Sequence, residues 1–173
     1  QLNGASSFKK INEIQIGSNS DKLLKTIYQA YNKAPFFPSS FPIIEKIIKA
    51  NIINLADFLI NQFMILSDYF EISTKLLISS SIKKNNNLKG TEKVIHICNM
   101  LGATTYINSI GGKEIYNEVD FENNGIKLSF LKSRPIEYKH FGDTFFSNLS
   151  VIDVMMFNDV PMIKNYLNQY DLI

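Results

Sequence analysis

Tryptophan is missing from this 173-residue chain, cysteine and arginine occur once each, at Cys98 and Arg134, and histidine occurs twice, at His96 and His140. A lone cysteine cannot close an internal disulfide, and one cysteine with two histidines cannot furnish a four-ligand zinc set, so the fold is expected to need neither bridge nor structural metal. With 18 basic and 16 acidic side chains the net charge is only +2. No basic stripe with aromatics between its charges occurs, and none of the composition of a nucleic-acid binder is present. Long apolar runs are also wanting. The richest, "IINLADFLINQFMIL", is interrupted by Asn54, Asp57, Asn61 and Gln62, too polar for a membrane span. "QLNGASSFKK" has no apolar core of a signal peptide. These shortages lead to the expectation of a cytoplasmic protein without nucleic-acid partner, membrane span or cofactor.

What is present is a hydrophobic fraction of 45%, enough for one domain with a genuine core. Alternation in "INEIQI" predicts a short strand. Ser20 and Asp21 introduce "DKLLKTIYQAYNKAP", where Leu23, Leu24, Ile27 and Tyr31 share a helical face and Pro35 marks the end. "PFFPSSFP" reads as a loop, with Ser39 or Ser40 capping a second helix, "FPIIEKIIKA". "NLADFLINQFMILSDYF" is a third, polar on the face of Asn54, Asp57, Asn61 and Asp68 and broadly apolar elsewhere.

From Thr74 the pattern changes. The apolar run Leu76–Leu77–Ile78 predicts a strand buried on both faces of a parallel sheet. "GTEKVIHICNMLGA" predicts a helix with Gly102 at a left-handed C-terminal position, and "TTYI" a second strand, together a βαβ crossover. Ligands of open parallel sheets bind beyond the carboxyl ends of the strands. The polar loops after Ile78 and Ile107, "SSS" and "NSIGG", are therefore expected to share one rim. "FENNGIKLSFL" gives an Asn-Gly turn and a strand alternating Ile126, Leu128 and Phe130 with Lys127 and Ser129, one face exposed. "RPIEYKHFGD" is a further extended piece. "LSVIDVMMF" and "VPMIKNYLNQY" predict two closing helices. The fold class expected is α/β, a mostly parallel sheet with flanking helices and a helical insertion, in a single domain over residues 1–173 without internal repeat.

Several residues could carry chemistry. "IGGKE" lacks the spacing of a Walker phosphate loop, because its glycines are adjacent and a glutamate follows Lys113. Two readings stand for Gly111 and Gly112: a substrate or anion loop whose backbone N–H groups reach a ligand, or a plain strand-to-helix turn. Ser79, Ser80 and Ser81 either hydrogen-bond a substrate or satisfy nearby backbone groups, and no nucleophile elbow accompanies them. His96 reads as packed or surface-lying. His140, near Asp143, is freer for acid–base work. Arg134 is either an anion clamp or half of a surface ion pair. Asp153, alone among apolar neighbours, is a carboxylate pointing into a site or lying at its edge.

"LGATTYINSIGG" and "LSVID", with "GIKLSFL", "EYKHF", "INEIQI" and "LLKTIYQAYNKAPFF", resemble the WbqC-like protein family of bacterial polysaccharide gene clusters over essentially the whole chain. The resemblance implies a group transferase, with aminoacyl or glycine transfer to a sugar as its form, in O-antigen and lipopolysaccharide biosynthesis. A non-catalytic ligand-binding or assembly module of the glycan machinery is the alternative. It implies substrate contacts from Ser79, Ser80, Lys89, Gly90, Tyr106, Asn108, Gly111, Gly112 and Tyr138, and a small-molecule or sugar-nucleotide substrate. Two positions depart from the family pattern: Ser109 stands where proline is common, and His140 where glutamine is. Family members open with a segment resembling "HQPxFxPxxGYF", and the chain is expected to be N-terminally incomplete because it begins after it, at Gln1.

Overall fold

The computed structural model describes residues 2–3 and 9–173. In chain order its elements are β1 (Leu2–Asn3), β2 (Gln15–Ile16), α1 (Ser20–Tyr31), α2 (Phe37–Ile48), α3 (Leu55–Tyr69), α4 (Gly90–Met100), β3 (Thr105–Ser109), α5 (Glu118–Glu122), β4 (Lys127–Ser133), α6 (Val151–Phe157), α7 (Val160–Leu167) and β5 (Tyr170–Leu172). Short 3-10 turns lie at Ile11–Glu13, Ser79–Ser81 and Ile110–Glu114. They group into two compact units. One combines the chain up to Leu76 with Glu137–Tyr166, the other Leu77–Ile136 with Leu167–Ile173.

Among the described residues the first unit is helical apart from a two-residue antiparallel pairing of β1 with β2 and a single antiparallel bridge between Gln15 and Asn54. α1 buries Leu24 and Ile27, two of the residues whose spacing predicts its inner face, while Leu23 is half exposed. α2 begins earlier than the prolines and serines suggest, so "PFFPSSFP" is not a loop and neither serine caps the helix. The reason is aromatic. Phe37 and Phe41, one turn apart, stack at 4.7 Å, and Tyr28 of α1 meets both rings edge-on at 5.5 and 5.9 Å. Pro38 falls in the permissive first turn, and Ser40 is wholly buried. α3 is capped by Asn54, whose Oδ1 accepts from the Ala56 and Asp57 amides at 2.9 and 3.3 Å. The core of this unit joins Ile27, Ala34, Ile44, Phe70, Ile163 and the Met155–Met156–Phe157 stretch of α6.

The second unit holds a three-stranded sheet in the order β3-β4-β5. β3 and β4 run parallel, Tyr106 opposite Leu128 and Asn108 opposite Phe130, whereas β4 and β5 are antiparallel, Leu131 opposite Leu172. The α/β expectation is met, but the sheet is small and mixed rather than mostly parallel. Two features of the sequence misled. Residues 76–78 form no strand: Leu76, Leu77 and Ile78 are 51%, 50% and 43% exposed, without the covering layers a buried strand needs, and they do not join the outer edge of β3. An apolar triplet fits a strand only if a partner edge and two covering layers exist. The parallel pair is instead β3 with β4, and its crossover carries the Ile110–Glu114 turn and α5, with α4 preceding it. The expected shared rim of the loops after Ile78 and Ile107 is therefore not built by adjacent strands. Ser129 is buried and not on an exposed face, as suits the central strand. Gly102, at φ +65°, ends α4 in the left-handed conformation its position predicts. Ile95, Cys98, Phe121, Ile126, Leu128 and Phe130 form the core beneath the sheet.

Candidate functional site

The first unit gathers a polar cluster around α6. Ser150 caps this helix, its Oγ accepting from the Ile152 amide at 3.3 Å; Val151 is exposed, whereas Asp153, Met155, Met156 and Phe157 are buried. The one charge of the helix therefore lies on its buried side. Asp153 is consequently only 7% exposed. Its Oδ2 accepts from the Tyr31 hydroxyl at 2.9 Å and its Oδ1 from the Tyr138 hydroxyl at 2.6 Å. Tyr31 is the last residue of α1, and Tyr138 belongs to the irregular extended segment after β4. Among the described residues no lysine, arginine or histidine forms an ion pair with Asp153.

Aromatic rings surround this carboxylate. Phe157 meets the Tyr31 ring edge-on at 6.2 Å and lies nearly parallel to Tyr138 at 6.4 Å; Phe141 packs edge-on to Phe157 at 4.8 Å and Phe145 edge-on to Tyr138 at 5.1 Å. Burial raises the Tyr31 phenol to about 12, with the Asp153 hydrogen bond and charge adding to it. The same causes, burial first, hold Tyr138 well above the ordinary phenol range. Both therefore remain hydrogen-bond donors at neutral pH.

Behind the cluster, two further buried polar side chains fix α6. The Ser40 hydroxyl donates to the Met155 carbonyl at 2.7 Å and lies 3.2 Å from the Tyr69 hydroxyl. The Asn158 amide donates to the Val154 carbonyl at 2.9 Å, and its Oδ1 accepts from Tyr166 at 3.4 Å. Each satisfies a backbone carbonyl or a phenol that burial would otherwise strand.

The second unit holds most of the residues singled out by resemblance. Asn108 donates its amide to the Tyr106 hydroxyl at 2.7 Å, and Tyr106 stacks on Phe121 at 5.3 Å with Tyr116 edge-on at 5.7 Å. Burial, then Tyr116, raises the Tyr106 phenol to about 12. Gly112 is buried against this group: a Cβ there would lie 3.0 Å from Asn108 Cγ and Oδ1. Gly111 faces open space, so of the two adjacent glycines only the second is demanded by packing. Tyr106, Asn108 and Gly112 thus come together at the carboxyl end of β3. Ser79, Ser80, Lys89 and Gly90 are exposed, and among the described residues no hydrogen bond joins them to Asn108. Lys84 Nζ donates to the Ser79 carbonyl, and Gly90 opens α4 at φ +51°. Tyr138 lies in the first unit, at Asp153.

The remaining candidates have structural partners. Arg134 forks onto Asp171, its Nε 3.1 Å from both carboxylate oxygens, so the ion-pair reading describes it. His140 sets Nδ1 against the Phe141 carbonyl and packs on Phe145. His96 Nε2 accepts from the Asn85 amide at 3.3 Å. Burial raises the Cys98 thiol, which keeps it unreactive. Among the described residues no three or more His, Cys, Asp or Glu side chains converge to hold a metal, and no helix is long and apolar enough to cross a membrane.

The sequence model of the WbqC-like protein family matches residues 2–165. The chain belongs to the WbqC-like protein family. The match takes in every member of both polar clusters, from Tyr31 to Asp153 and from Tyr106 to Gly112. No curated protein and no solved structure matches this WbqC-like chain. Its geometry therefore has to speak for the site. Reasoning from sequence singled out Asp153 and Tyr138 separately and missed that they share a bond. Tyr31 reads there as a core position and Ser39 or Ser40 as a cap. The one available signal was a lone carboxylate in an otherwise apolar helix, which requires donors from elsewhere in the chain.

Proposed function

We propose that this WbqC-like protein is a group transferase of surface-polysaccharide biosynthesis, moving an aminoacyl group such as glycine onto a sugar, and that Asp153 with Tyr31 and Tyr138 forms its acceptor subsite. Membership of a family associated with polysaccharide gene clusters supports the sugar-linked context. The observation that carries the chemistry is the Asp153 carboxylate, 7% exposed and held by two phenols. Group transfer to an amine or hydroxyl needs an oxygen acceptor that orients the N–H or O–H and receives its proton as the new bond forms and the donor's leaving group departs. The two phenols that hold the Asp153 carboxylate in one orientation support that role. In the second unit, Tyr106, Asn108, Gly111 and Gly112, with Ser79, Ser80, Lys89 and Gly90, are proposed as substrate-contacting positions; their support is the family resemblance and the Tyr106–Asn108 bond. The proposal treats residues 1–173 as one cytoplasmic domain using a sugar nucleotide or another small activated donor.

The half-exposed Leu76, Leu77 and Ile78 favour a second reading, an assembly module of the glycan machinery. Thermal shifts with sugar nucleotides, glycine and aminoacyl adenylates, followed by mass spectrometry of the mixtures, separate the two. The transferase reading expects at least one ligand to stabilise the protein and yield an acylated sugar, with both effects lost in Asp153→Asn. No shift and no product with any ligand, together with capture of a glycosyltransferase through the Leu76–Ile78 segment, would establish the module instead.

A further inference from the structure

A carboxylate 7% exposed, with no cation paired to it among the described residues, has only two neutral phenols and its place in the first turn of α6 to balance its charge. Burying such a charge is costly unless a partner of opposite sign joins it. The cluster also has a surplus of one kind of hydrogen-bonding capacity. A carboxylate offers about four lone-pair positions, and the two phenols occupy one on each oxygen. Each phenol, having turned its only hydrogen toward Asp153, presents its own oxygen to any newcomer as an acceptor. Oxygens of Tyr31, Asp153 and Tyr138, linked by these two hydrogen bonds, are therefore all acceptors and bear one net negative charge.

We propose that this cluster is a recognition site for a primary ammonium group: the acceptor substrate is an amine. The inference rests on the transferase reading only in taking the amine to belong to an acceptor sugar. An ammonium group has three N–H donors, one positive charge and no acceptor, the complement of three acceptor oxygens and one negative charge. A neutral hydroxyl supplies one donor and leaves the charge unmatched. An acetylated amine loses the charge and two of its three N–H groups.

Because the chain has no tryptophan, its eight tyrosines dominate the emission, and Tyr31→Phe and Tyr138→Phe assign the part that comes from such a site. The experiment titrates the full chain with glucosamine, N-acetylglucosamine, glucose and cyclohexylamine, following tyrosine fluorescence and heat of binding. Glucosamine is expected to bind at least tenfold more tightly than glucose or N-acetylglucosamine. Asp153→Asn is expected to erase that preference, and Tyr138→Phe, which removes one oxygen and keeps the ring, to weaken glucosamine several-fold. Circular dichroism of both variants checks that they fold; if Asp153→Asn does not, Tyr31→Phe and Tyr138→Phe decide the matter. Equal binding of the three sugars would overturn the amine inference and leave a sugar site standing. Cyclohexylamine binding as well as glucosamine would keep the amine and remove the sugar. If none of the four probes binds, the amine inference falls with its acceptor subsite.

Discussion

Tyr31 and Tyr138 reach Asp153 across 122 and 15 residues of chain, and that separation explains what could and could not be read from the sequence. A single aspartate inside "SVIDVMMF" is conspicuous in one dimension, whereas the donors that stabilise it are ordinary tyrosines at unremarkable positions. Their phenols nevertheless leave a measurable mark. The Tyr31 phenol, ordinarily ionising at 10.0, is raised to about 12 in the fold by burial and by Asp153. Between those values the unfolded chain has lost this proton and the folded chain has kept it, so rising pH favours unfolding. The tyrosine contribution to stability is expected to be level below about pH 10 and to fall progressively toward pH 12, Tyr106 and Tyr138 adding in the same direction as Tyr31. Urea unfolding across this range checks the sign, and Tyr31→Phe should flatten the decline. That variant also leaves Asp153 Oδ2 without its donor. Its cost at neutral pH is expected to be about 1–3 kcal/mol.

Among the elements, α1, α3, α4, α7, β3 and β4 follow from periodicity and end signals, because each carries its information locally. The start of α2, the missing strand at residues 76–78 and β5 do not, because a partner decides each. Phe37 and Phe41 extend a helix through two prolines, Leu76–Ile78 find no covering layers and stay off the outer edge of β3, and "YDL" becomes a strand only beside β4. The turn after β3 shows the same distinction within two residues. "GG" reads as one flexible pair, yet only Gly112 lies where a side chain would press on Asn108. Gly112→Ala is expected to cost about 1–3 kcal/mol and to displace Asn108 from Tyr106. Gly111→Ala should stay within about 0.5 kcal/mol of the parent. Chemical denaturation of the pair measures the difference, and equal effects would mean that the turn and not the contact sets the requirement.

Across the molecule the two units are interleaved, each assembled from two stretches of chain. Composition and the lack of a linker suggest one domain, and such interleaving produces no boundary signal because the chain crosses between units in two irregular segments and in the last turn of α7. The crossing near Tyr166 has a testable result. Residues 167–173 supply β5, whose pairing includes Ile173 donating to the Phe130 carbonyl at 3.0 Å and Arg134 donating to the Gln169 carbonyl at 2.8 Å. Removing them should speed hydrogen exchange throughout β4 while α1 and α2 keep their protection. Hydrogen-exchange mass spectrometry reads both regions in one sample, and loss of protection in α1 and α2 as well would show the units to be energetically inseparable.

The late position of β5 also sets an order of birth. During synthesis β4 is made well before Tyr170–Leu172, so it can leave the ribosome with a bare flank while α6, α7 and β5 are still to emerge. An unpaired strand edge is a template for pairing with other nascent chains. In a cell translating many copies at once, the hazard is a brief window of cross-chain strand exchange. A stall placed just before Gln169 would widen that window, and chaperone occupancy would be concentrated there.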